Sequence, residues 1–315
     1  MEYKNLGNVH LKVSRLCLGT MNFGVKTEEK EAFRIMDMAL ESGINLFDTA
    51  NNYGAVIQKE GITEELIGRW FAQDRSRRDK VILTTKVHEP MRVLSDGPNG
   101  EAGLSRYKIR KHFQASLKRL QTDYVDIYFM HHYDRQMNLE EVTDTFSMLI
   151  SEGSINYMGT SNFPAWALAE LCTMTELRHL SGPICEQHKY SLFCRVPELE
   201  VLPSVRRHKI GLLTYSPLGN GMLKRYINNP AEGEEKEKVM KFVNLCAELG
   251  EAPEDVAIAW ILENPIVTAP IIGPSTAEQF EKTLHALELK LPTEFVEKLN
   301  EIFPGPGEAP ESYAW

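Results

Sequence analysis

Short apolar runs and amphipathic stretches alternate eight times along this chain of 315 residues. The apolar runs have the length of buried strands, and the stretches between them repeat their apolar residues at a spacing of about 3.6, which is typical of helices. Strand followed by helix, eight times over, predicts a closed parallel barrel, so we expect residues 1–315 to form one α/β domain with a (β/α)8 TIM-barrel fold. The predicted strands are 16–18, 44–47, 81–84, 125–130, 155–159, 184–186, 210–214 and 267–272.

Additions to a minimal barrel are predicted from the same patterns. Residues 6–11 supply the turn of an N-terminal hairpin, and an additional helix is expected at 236–249. Ser105, Asn138 and Thr276 stand where helix N-caps are expected. The predicted helices between the strands are 30–40, 64–71, 107–120, 139–150, 165–174, 197–206, 254–262 and 276–287.

The composition indicates a soluble folded protein, because no apolar run reaches the roughly 18 residues that a membrane span needs. A net charge of -9 argues against nonspecific nucleic-acid binding. The N-terminus lacks the apolar core of a signal peptide, so we expect a cytoplasmic protein that binds neither nucleic acid nor membrane. The five cysteines are odd in number and lack C-x-x-C spacing, which favours reduced buried thiols. The sequence leaves open whether the chain is a monomer or a homo-oligomer.

Three successive predicted strands end in an ionisable residue. Asp48, Lys86 and His131 directly follow these apolar runs, and Tyr53 comes shortly after Asp48. Strand ends of a parallel barrel surround a common pocket, so we expect the four side chains to converge there. A strand-terminal Asp or a single Tyr is often purely structural, but the combination favours an active site that handles protons.

Tyr53 is the candidate general acid. A free phenol has a pKa of roughly 10 and donates its proton reluctantly near neutral pH. An ammonium about 4 Å away would stabilise the phenolate by about 4 kcal/mol, or roughly three pKa units. We therefore expect Lys86 to lower the pKa of Tyr53, Asp48 to keep Lys86 charged, and His131 to donate to a substrate oxygen.

Seven motifs along the chain add a second line of argument. They are Leu18-Gly19-Thr20-Met21, Asp48-Thr49-Ala50-x-x-Tyr53-Gly54, Thr84-Thr85-Lys86, Asp126-Ile127-Tyr128-x-x-His131, Gly159-Thr160-Ser161-Asn162-Phe163, Tyr215-Ser216-Pro217-Leu218-Gly219 and Ile272-Gly273-Pro274-Ser275. In these motifs, and in their order, the chain resembles the aldo-keto reductase family. The resemblance implies a catalytic tetrad of Asp48, Tyr53, Lys86 and His131. The implied reaction is NAD(P)H-dependent interconversion of an aldehyde or ketone and an alcohol.

The cofactor site is expected at the loops after the last two strands. No G-x-G-x-x-G motif follows a strand, and barrels bind phosphate groups with those two loops. The resemblance implies that NADP(H), favoured over NAD(H), contacts Gly19, Thr20, Met21, Ser161, Asn162, Gln187 and Tyr215 around the nicotinamide, Ser216, Pro217, Leu218, Gly219 and Gly221 around the pyrophosphate, and Gly273, Ser275 and Gln279 at the adenosine end. Lys224, Arg225 and Lys282 are the nearby candidate cations for a 2′-phosphate.

The predicted substrate pocket follows the first and fourth strands. Asn22, Phe23, His132 and Tyr133 are its candidate lining residues, and this polar set suits a sugar-like carbonyl or alcohol substrate. His131 and His132 could also be taken as metal ligands. Because adjacent strand residues point to opposite faces, we predict no metal site.

Alternative functions remain open at this point. The chain could be a cofactor-sensing regulatory subunit with little turnover, or a sugar epimerase or dehydrogenase that retains its nicotinamide cofactor. A metal-dependent barrel hydrolase is a third possibility. Trp70, Trp166 and Trp260 are predicted to pack against the barrel from its helices, while Tyr313 and Trp315 in the tail either cover the pocket or contact a partner chain.

Overall fold

The computed structural model describes residues 1–228 and 233–314, and within them eight parallel strands close into a barrel. Each strand pairs with the next in the chain, and the last strand pairs with the first through Ile272 and Leu18. The predicted (β/α)8 architecture is confirmed. The barrel strands are β3 Cys17–Gly19, β4 Leu46–Asp48, β5 Ile82–Val87, β6 Val125–Met130, β7 Ile155–Ser161, β8 Cys185–Lys189, β9 Gly211–Tyr215 and β10 Ala269–Ile272.

Helices surround the barrel, and the predicted caps form. The side chains of Ser105, Asn138 and Thr276 each accept a hydrogen bond from the backbone N–H three residues later, at 3.3, 3.1 and 3.2 Å. The helices are α1 Glu29–Glu41, α2 Ile62–Gln73, α3 Arg106–Leu120, α4 Leu139–Ser151, α5 Ala165–Leu177, α6 Val201–His208, α7 Met222–Asn228, α8 Glu234–Leu249, α9 Pro253–Glu263, α10 Ala277–Thr283, α11 Thr293–Ile302 and α12 Glu311–Ala314.

The predicted N-terminal hairpin closes the amino end of the barrel. Strands β1 Tyr3–Asn5 and β2 Lys12–Ser14 pair antiparallel. Leu6, in the turn, is fully buried and joins an apolar cluster inside the barrel that includes Ile127 and Leu213. The hairpin therefore supplies apolar side chains to the interior at the end opposite the carboxyl ends of the strands.

A second, larger apolar cluster lies between the strands and the helices. Trp70 on α2 is fully buried in it and Trp260 on α9 is 7% exposed, as predicted. Trp166 on α5 is 55% exposed, so its predicted packing role is wrong. The apolar periodicity of α5 is weak, which left its inward face poorly defined in the sequence.

The C-terminal tail lies along α6 and the segment before it. Glu308 pairs with Arg206 at 2.7 Å, and the backbone N–H of Ala309 donates to the Leu199 carbonyl at 2.9 Å. Tyr313 is 66% exposed. Trp315 and the side chain of Lys224, both named in the sequence analysis, lie outside the described residues.

All five cysteines are free thiols, and Cys17, Cys185 and Cys246 are buried, as expected. Cys172 and Cys194 are only partly buried. The helices within residues 1–228 and 233–314 are all too short or too polar to cross a lipid bilayer.

Candidate active site

Three of the four predicted catalytic side chains form a continuous line at the carboxyl end of the barrel. Asp48 ends β4, Lys86 lies on the neighbouring β5, and Tyr53 lies in the turn after β4. Lys86 Nζ donates to Asp48 Oδ2 at 2.6 Å and to Tyr53 Oη at 3.0 Å. Lys86 is fully buried and Asp48 is 2% exposed. The structure thus holds an ammonium group between a carboxylate and a phenol.

Further polar groups fix Asp48 and Lys86 in place. Thr84 Oγ1 and Gln187 Nε2 each donate to Asp48 Oδ1 at 2.8 Å. Lys86 Nζ donates a third hydrogen bond to the Thr49 carbonyl at 2.8 Å. Sequence reasoning missed Thr84, although it lies opposite Asp48 in the β4–β5 register. The expected contact of Gln187 with the nicotinamide carboxamide stays a prediction, and the bond from its amide nitrogen to Asp48 was not foreseen.

The electrostatics differ from the expectation at one point. Burial lowers the pKa of Lys86, but Asp48 and Tyr53 outweigh it, so the pKa stays above its ordinary value and the ammonium keeps its charge. Burial raises the pKa of Tyr53 to about 12, because it outweighs the opposing effect of Lys86. The predicted lowering of the Tyr53 pKa is therefore wrong. The phenol is protonated at neutral pH.

His131 follows the end of β6 and lies beside Tyr53, with ring centroids 6.2 Å apart. Burial and the nearby Lys86 hold the pKa of His131 well below its usual range, so the imidazole is neutral. Its Nδ1 is buried and has no hydrogen-bond partner among the described residues. A neutral imidazole carries one N–H, which is suited to binding an oxygen atom.

His132 does not point away from His131. Their rings stack with centroids 4.7 Å apart and planes 16° apart. The strand ends at Met130, so strand alternation does not extend to these residues, and the opposite-face argument is wrong. Within the described part of the chain, His, Cys, Asp and Glu side chains form no group of three or more that could hold a metal ion.

The predicted substrate residue His132 belongs to a polar cluster at the barrel mouth. His132 Nε2 lies 3.4 Å from Glu89 Oε1, and His88 Nδ1 lies 3.0 Å from the same oxygen. The hydrogen bond to His88 lowers the pKa of Glu89 below its ordinary value. The His132 side chain is 43% exposed, so it presents a polar surface beside His131.

The other predicted substrate residues lie in different environments. Tyr133 packs edge-on against the exposed Trp166 with ring centroids 5.2 Å apart. Asn22 Nδ2 donates to the Gly273 carbonyl at 2.9 Å and so connects the first and last βα loops. Phe23 is fully buried in the core between strands and helices, so its predicted place in the pocket lining is wrong.

The predicted nicotinamide residues at the carboxyl ends of β7 and β9 are hydrogen-bonded to one another. Tyr215 Oη donates to Asn162 Oδ1 at 2.7 Å. Asn162 Nδ2 donates to Ser161 Oγ and to the His131 carbonyl, both at 3.0 Å. Asn162 also has a positive φ of 59°, which is unusual for a residue other than glycine. The contacts tie the predicted cofactor side of the site to the tetrad.

The loop at 216–221 after β9 has the backbone form expected of an anion-binding segment. Ser216, Gly219 and Gly221 have positive φ angles of 57°, 64° and 81°. Such conformations can turn successive N–H groups toward one ligand. Leu218 is partly buried and packs against the core, which anchors the loop.

The predicted nicotinamide residues Gly19, Thr20 and Met21 lie at the carboxyl end of β3. Thr20 Oγ1 donates to the Asp48 carbonyl at 2.8 Å. A Cβ at Gly19 would lie 2.6 Å from Ile271 Cγ2, so only glycine fits between β3 and β10 without a shift. Met21 is 55% exposed.

The predicted adenosine end is organised by contacts within the chain. The backbone N–H of Ser275 donates to Gln279 Oε1 at 2.8 Å, and the Ser275 carbonyl accepts from Thr27 Oγ1 at 3.0 Å. A Cβ at Gly273 would meet only Asn22 Nδ2, at 3.7 Å, within 4 Å. The backbone at Gly273 is therefore open to a ligand.

Comparison with known proteins agrees with this geometry. The family model described as the Aldo/keto reductase family matches residues 15–303. The chain belongs to that family. It is 51% identical to "Uncharacterized oxidoreductase YrpG" of Bacillus subtilis (strain 168), over the full length of both chains. It is 33% identical to "Probable voltage-gated potassium channel subunit beta" of Arabidopsis thaliana, over 99% of this chain and 100% of that protein. It is 30% identical to "Protein tas" of Escherichia coli (strain K12), over 96% and 97%.

As a member of this family, the aldo/keto reductase described here is an NAD(P)-dependent oxidoreductase that interconverts carbonyl and alcohol groups. The resemblance inferred from seven motifs is confirmed by the match over nearly the whole chain.

Proposed function

We propose that this aldo/keto reductase uses NADP(H) to reduce a small aldehyde or ketone, with Tyr53 as the proton donor. The observation that carries the proposal is the buried line from Asp48 through Lys86 to Tyr53, with contacts of 2.6 and 3.0 Å. Such a line supports a phenol at the moment it loses its proton, since the ammonium then faces a phenolate.

The chain's own groups handle the proton. When bound, a reduced nicotinamide supplies a hydride to the carbonyl carbon, and negative charge develops on the carbonyl oxygen. Tyr53 Oη gives its proton to that oxygen, and Lys86 at 3.0 Å stabilises the resulting phenolate. Asp48 keeps Lys86 charged, and the N–H of neutral His131 orients the oxygen. In the reverse direction the phenolate of Tyr53 accepts the hydroxyl proton.

The groups around the site fit a nicotinamide dinucleotide. Asn162 and Tyr215 present amide and phenol groups beside the tetrad, and the backbone at Gly273 is open. The preference for NADP(H) rests on exposed cations beyond that loop. The side chain of Lys282 is 73% exposed, and its Nζ lies 2.7 Å from Glu278 Oε1. This surface ion pair is weak, so a phosphate could replace Glu278 as the partner of Lys282.

The proposed substrate is a hydroxylated, sugar-like carbonyl compound. The polar surface of His132 and Glu89 at the barrel mouth supports this class, because their donors and acceptors can bind substrate hydroxyls. A location in the cytoplasm stays a prediction.

The central test is Tyr53→Phe, assayed with a panel of carbonyl compounds. We expect kcat to fall by at least about a hundredfold, because the acid is lost while the ring remains. Fluorescence titration with NADPH and NADH should give unchanged affinities and rank the two cofactors. Tyr128→Phe is the matched control, since this buried phenol faces α3 through Ile109. Unaltered turnover of Tyr53→Phe would reject the assigned acid.

The second candidate function is cofactor sensing with little turnover. Two plant relatives, 33 and 32% identical to this chain, are each described as a "Probable voltage-gated potassium channel subunit beta". A regulatory role of that kind supports the sensor as an alternative. Tight NADPH binding without steady-state oxidation by any carbonyl compound would support the sensor over the reductase.

A further inference from the structure

A buried polar network connects the turn that carries Tyr53 to the long loop at 89–104. Asn51 Nδ2 lies 3.1 Å from His112 Nδ1, and His112 Nε2 lies 2.8 Å from Asp96 Oδ2. Asn51 and His112 are fully buried, and Asp96 is 5% exposed. The tetrad does not include any of these residues. Burying three polar side chains is costly unless they are well paired, so the network needs a functional or structural reason.

The contacts define where the protons lie. An amide nitrogen only donates, so His112 Nδ1 accepts and Nε2 carries the hydrogen that Asp96 receives. Lys111 Nζ, 2.7 Å from Asp96 Oδ1, balances the carboxylate. Burial lowers the pKa of His112 below its ordinary value, and this effect outweighs the hydrogen bond and charge of Asp96, which raise it. Lys108 and Arg119, on the same helix, also lower it. The ring is therefore neutral at neutral pH.

The network acts on the turn that positions Tyr53. The backbone N–H of Asn51 approaches the Lys86 carbonyl at 3.4 Å, and that of Tyr53 donates to the Ala50 carbonyl at 3.3 Å. Both of these contacts are long, whereas the Tyr53 carbonyl accepts from the Gly61 N–H at 3.0 Å and so holds the acid from its other side. The side chain of Asn51 supplies a fully buried attachment of the turn to α3, through His112. Loss of that attachment leaves the segment before Tyr53 held only by the two long backbone contacts.

We propose that Asp96 and His112 are positioning residues, which act through Asn51 to hold Tyr53 Oη within hydrogen-bond distance of Lys86. The inference rests on the proposed function, because it assigns them a role only through the acid Tyr53. Small displacements of a catalytic group are costly, since a shift of about 1 Å can reduce the rate on the order of a hundredfold.

The test compares Asn51→Leu with Asn51→Asp. Leucine has a similar size but cannot donate, so we expect kcat to fall by about tenfold with the Kd for NADPH unchanged. The introduced carboxylate has only acceptor oxygens, so it should accept a hydrogen bond from His112 Nδ1 when the ring is protonated. We expect kcat of Asn51→Asp to approach that of the parent at about pH 6 and to fall above about pH 8. The parent protein should not show this fall.

Two further measurements separate positioning from folding. Asn156→Leu, which removes a 3.1 Å hydrogen bond to Asp126 at the other end of the barrel, should leave kcat unchanged. In a Tyr53→Phe background, Asn51→Leu should cause no additional loss, because both changes act through the same phenol. If Asn51→Leu fails to fold, Asp96→Leu in the loop gives the same comparison, because leucine cannot accept from His112 Nε2.

Each outcome decides a stated point. Normal kcat in Asn51→Leu or Asp96→Leu, or full additivity with Tyr53→Phe, would overturn the positioning role while leaving Tyr53 as the acid. Normal turnover of Tyr53→Phe alone would reject the proposed function itself. A pH profile of Asn51→Asp that matches the parent would show that His112 does not carry the attachment.

Discussion

At the scale of single residues, the site is set by burial as much as by charge. Lys86 contacts Asp48 at 2.6 Å and Tyr53 at 3.0 Å, yet the pKa of Tyr53 is raised to about 12 because the phenol is desolvated. The resting enzyme therefore holds its proton on Tyr53 across the physiological range. This arrangement suits the proposed reduction, in which the phenol would give its proton to a strongly basic oxygen.

The two directions of catalysis should depend differently on pH. We expect carbonyl reduction to be independent of Tyr53 ionisation between about pH 6 and 9, since the phenol stays protonated below its raised pKa. Alcohol oxidation needs the phenolate, so its kcat/KM should rise by up to about tenfold per pH unit over the same range. Steady-state assays in both directions would check this.

Lys86→Met is the corresponding control, because it removes the ammonium that stabilises the phenolate. Its oxidation rate should be lower than that of the parent at every pH. A plateau of oxidation below about pH 8 in the parent would contradict the raised pKa.

At the scale of secondary-structure elements, close contact between neighbouring helices supports the strand ends that carry the site. Gly68 on α2 faces the carboxyl end of α3, where a Cβ would overlap the backbone carbonyl oxygen of Arg119. Arg119 Nε in turn donates to the buried Glu64 Oε2 at 2.7 Å, and Glu64 Oε1 accepts from Thr85 Oγ1 on β5. The α2–α3 contact is thus connected to the strand of Lys86.

Gly68→Ala should therefore destabilise the protein although alanine favours helices. Alanine gains about 1 kcal/mol of helix propensity over glycine, but the overlap is with backbone, which cannot move aside without separating the helices. We expect the free energy of unfolding in urea to fall by roughly 2 kcal/mol.

Ala72→Gly, at an exposed position in the last turn of the same helix, calibrates the propensity effect and should cost less than about 1 kcal/mol. A Gly68→Ala protein as stable as the parent would show that α2 and α3 have room to separate.

Elements of this size were largely predictable, whereas their contacts were not. The barrel and its hairpin follow from periodicity, but Pro197 lies in a 3-10 turn and α6 begins only at Val201, since apolar spacing does not distinguish the two. The convergence of Asp48 and Lys86 follows from strand ends. The bond from Gln187 to Asp48 does not, because it joins residues 139 positions apart.

At the scale of the whole molecule, the two ends of the barrel have separate tasks. The carboxyl end carries the proposed tetrad and the candidate cofactor loops. The amino end is filled by the N-terminal hairpin, in which Leu6 is fully buried. Arg15 anchors the chain after the hairpin by donating to the backbone carbonyls of Val267 and Thr268 at 2.8 and 2.6 Å.

Leu6→Ala should separate stability from activity. Removing this buried side chain leaves a cavity at the amino end, which typically costs about 2–5 kcal/mol. We expect a lower midpoint in thermal unfolding and an unchanged kcat below the transition, because the tetrad lies at the opposite end.

Leu11→Ala in the same hairpin removes a side chain that is only partly buried, so its effect on unfolding should be smaller. A clear loss of kcat in folded Leu6→Ala protein would show that the two ends are coupled.

The separation between the N-terminal hairpin at the amino end and the candidate site at the carboxyl end also matters for protein engineering. If the proposed substrate side of the site is right, libraries that vary the residues around His132 and Glu89 should change carbonyl specificity, while the N-terminal hairpin preserves stability. Conversely, stabilising substitutions in the N-terminal hairpin should raise the unfolding temperature without changing substrate selectivity.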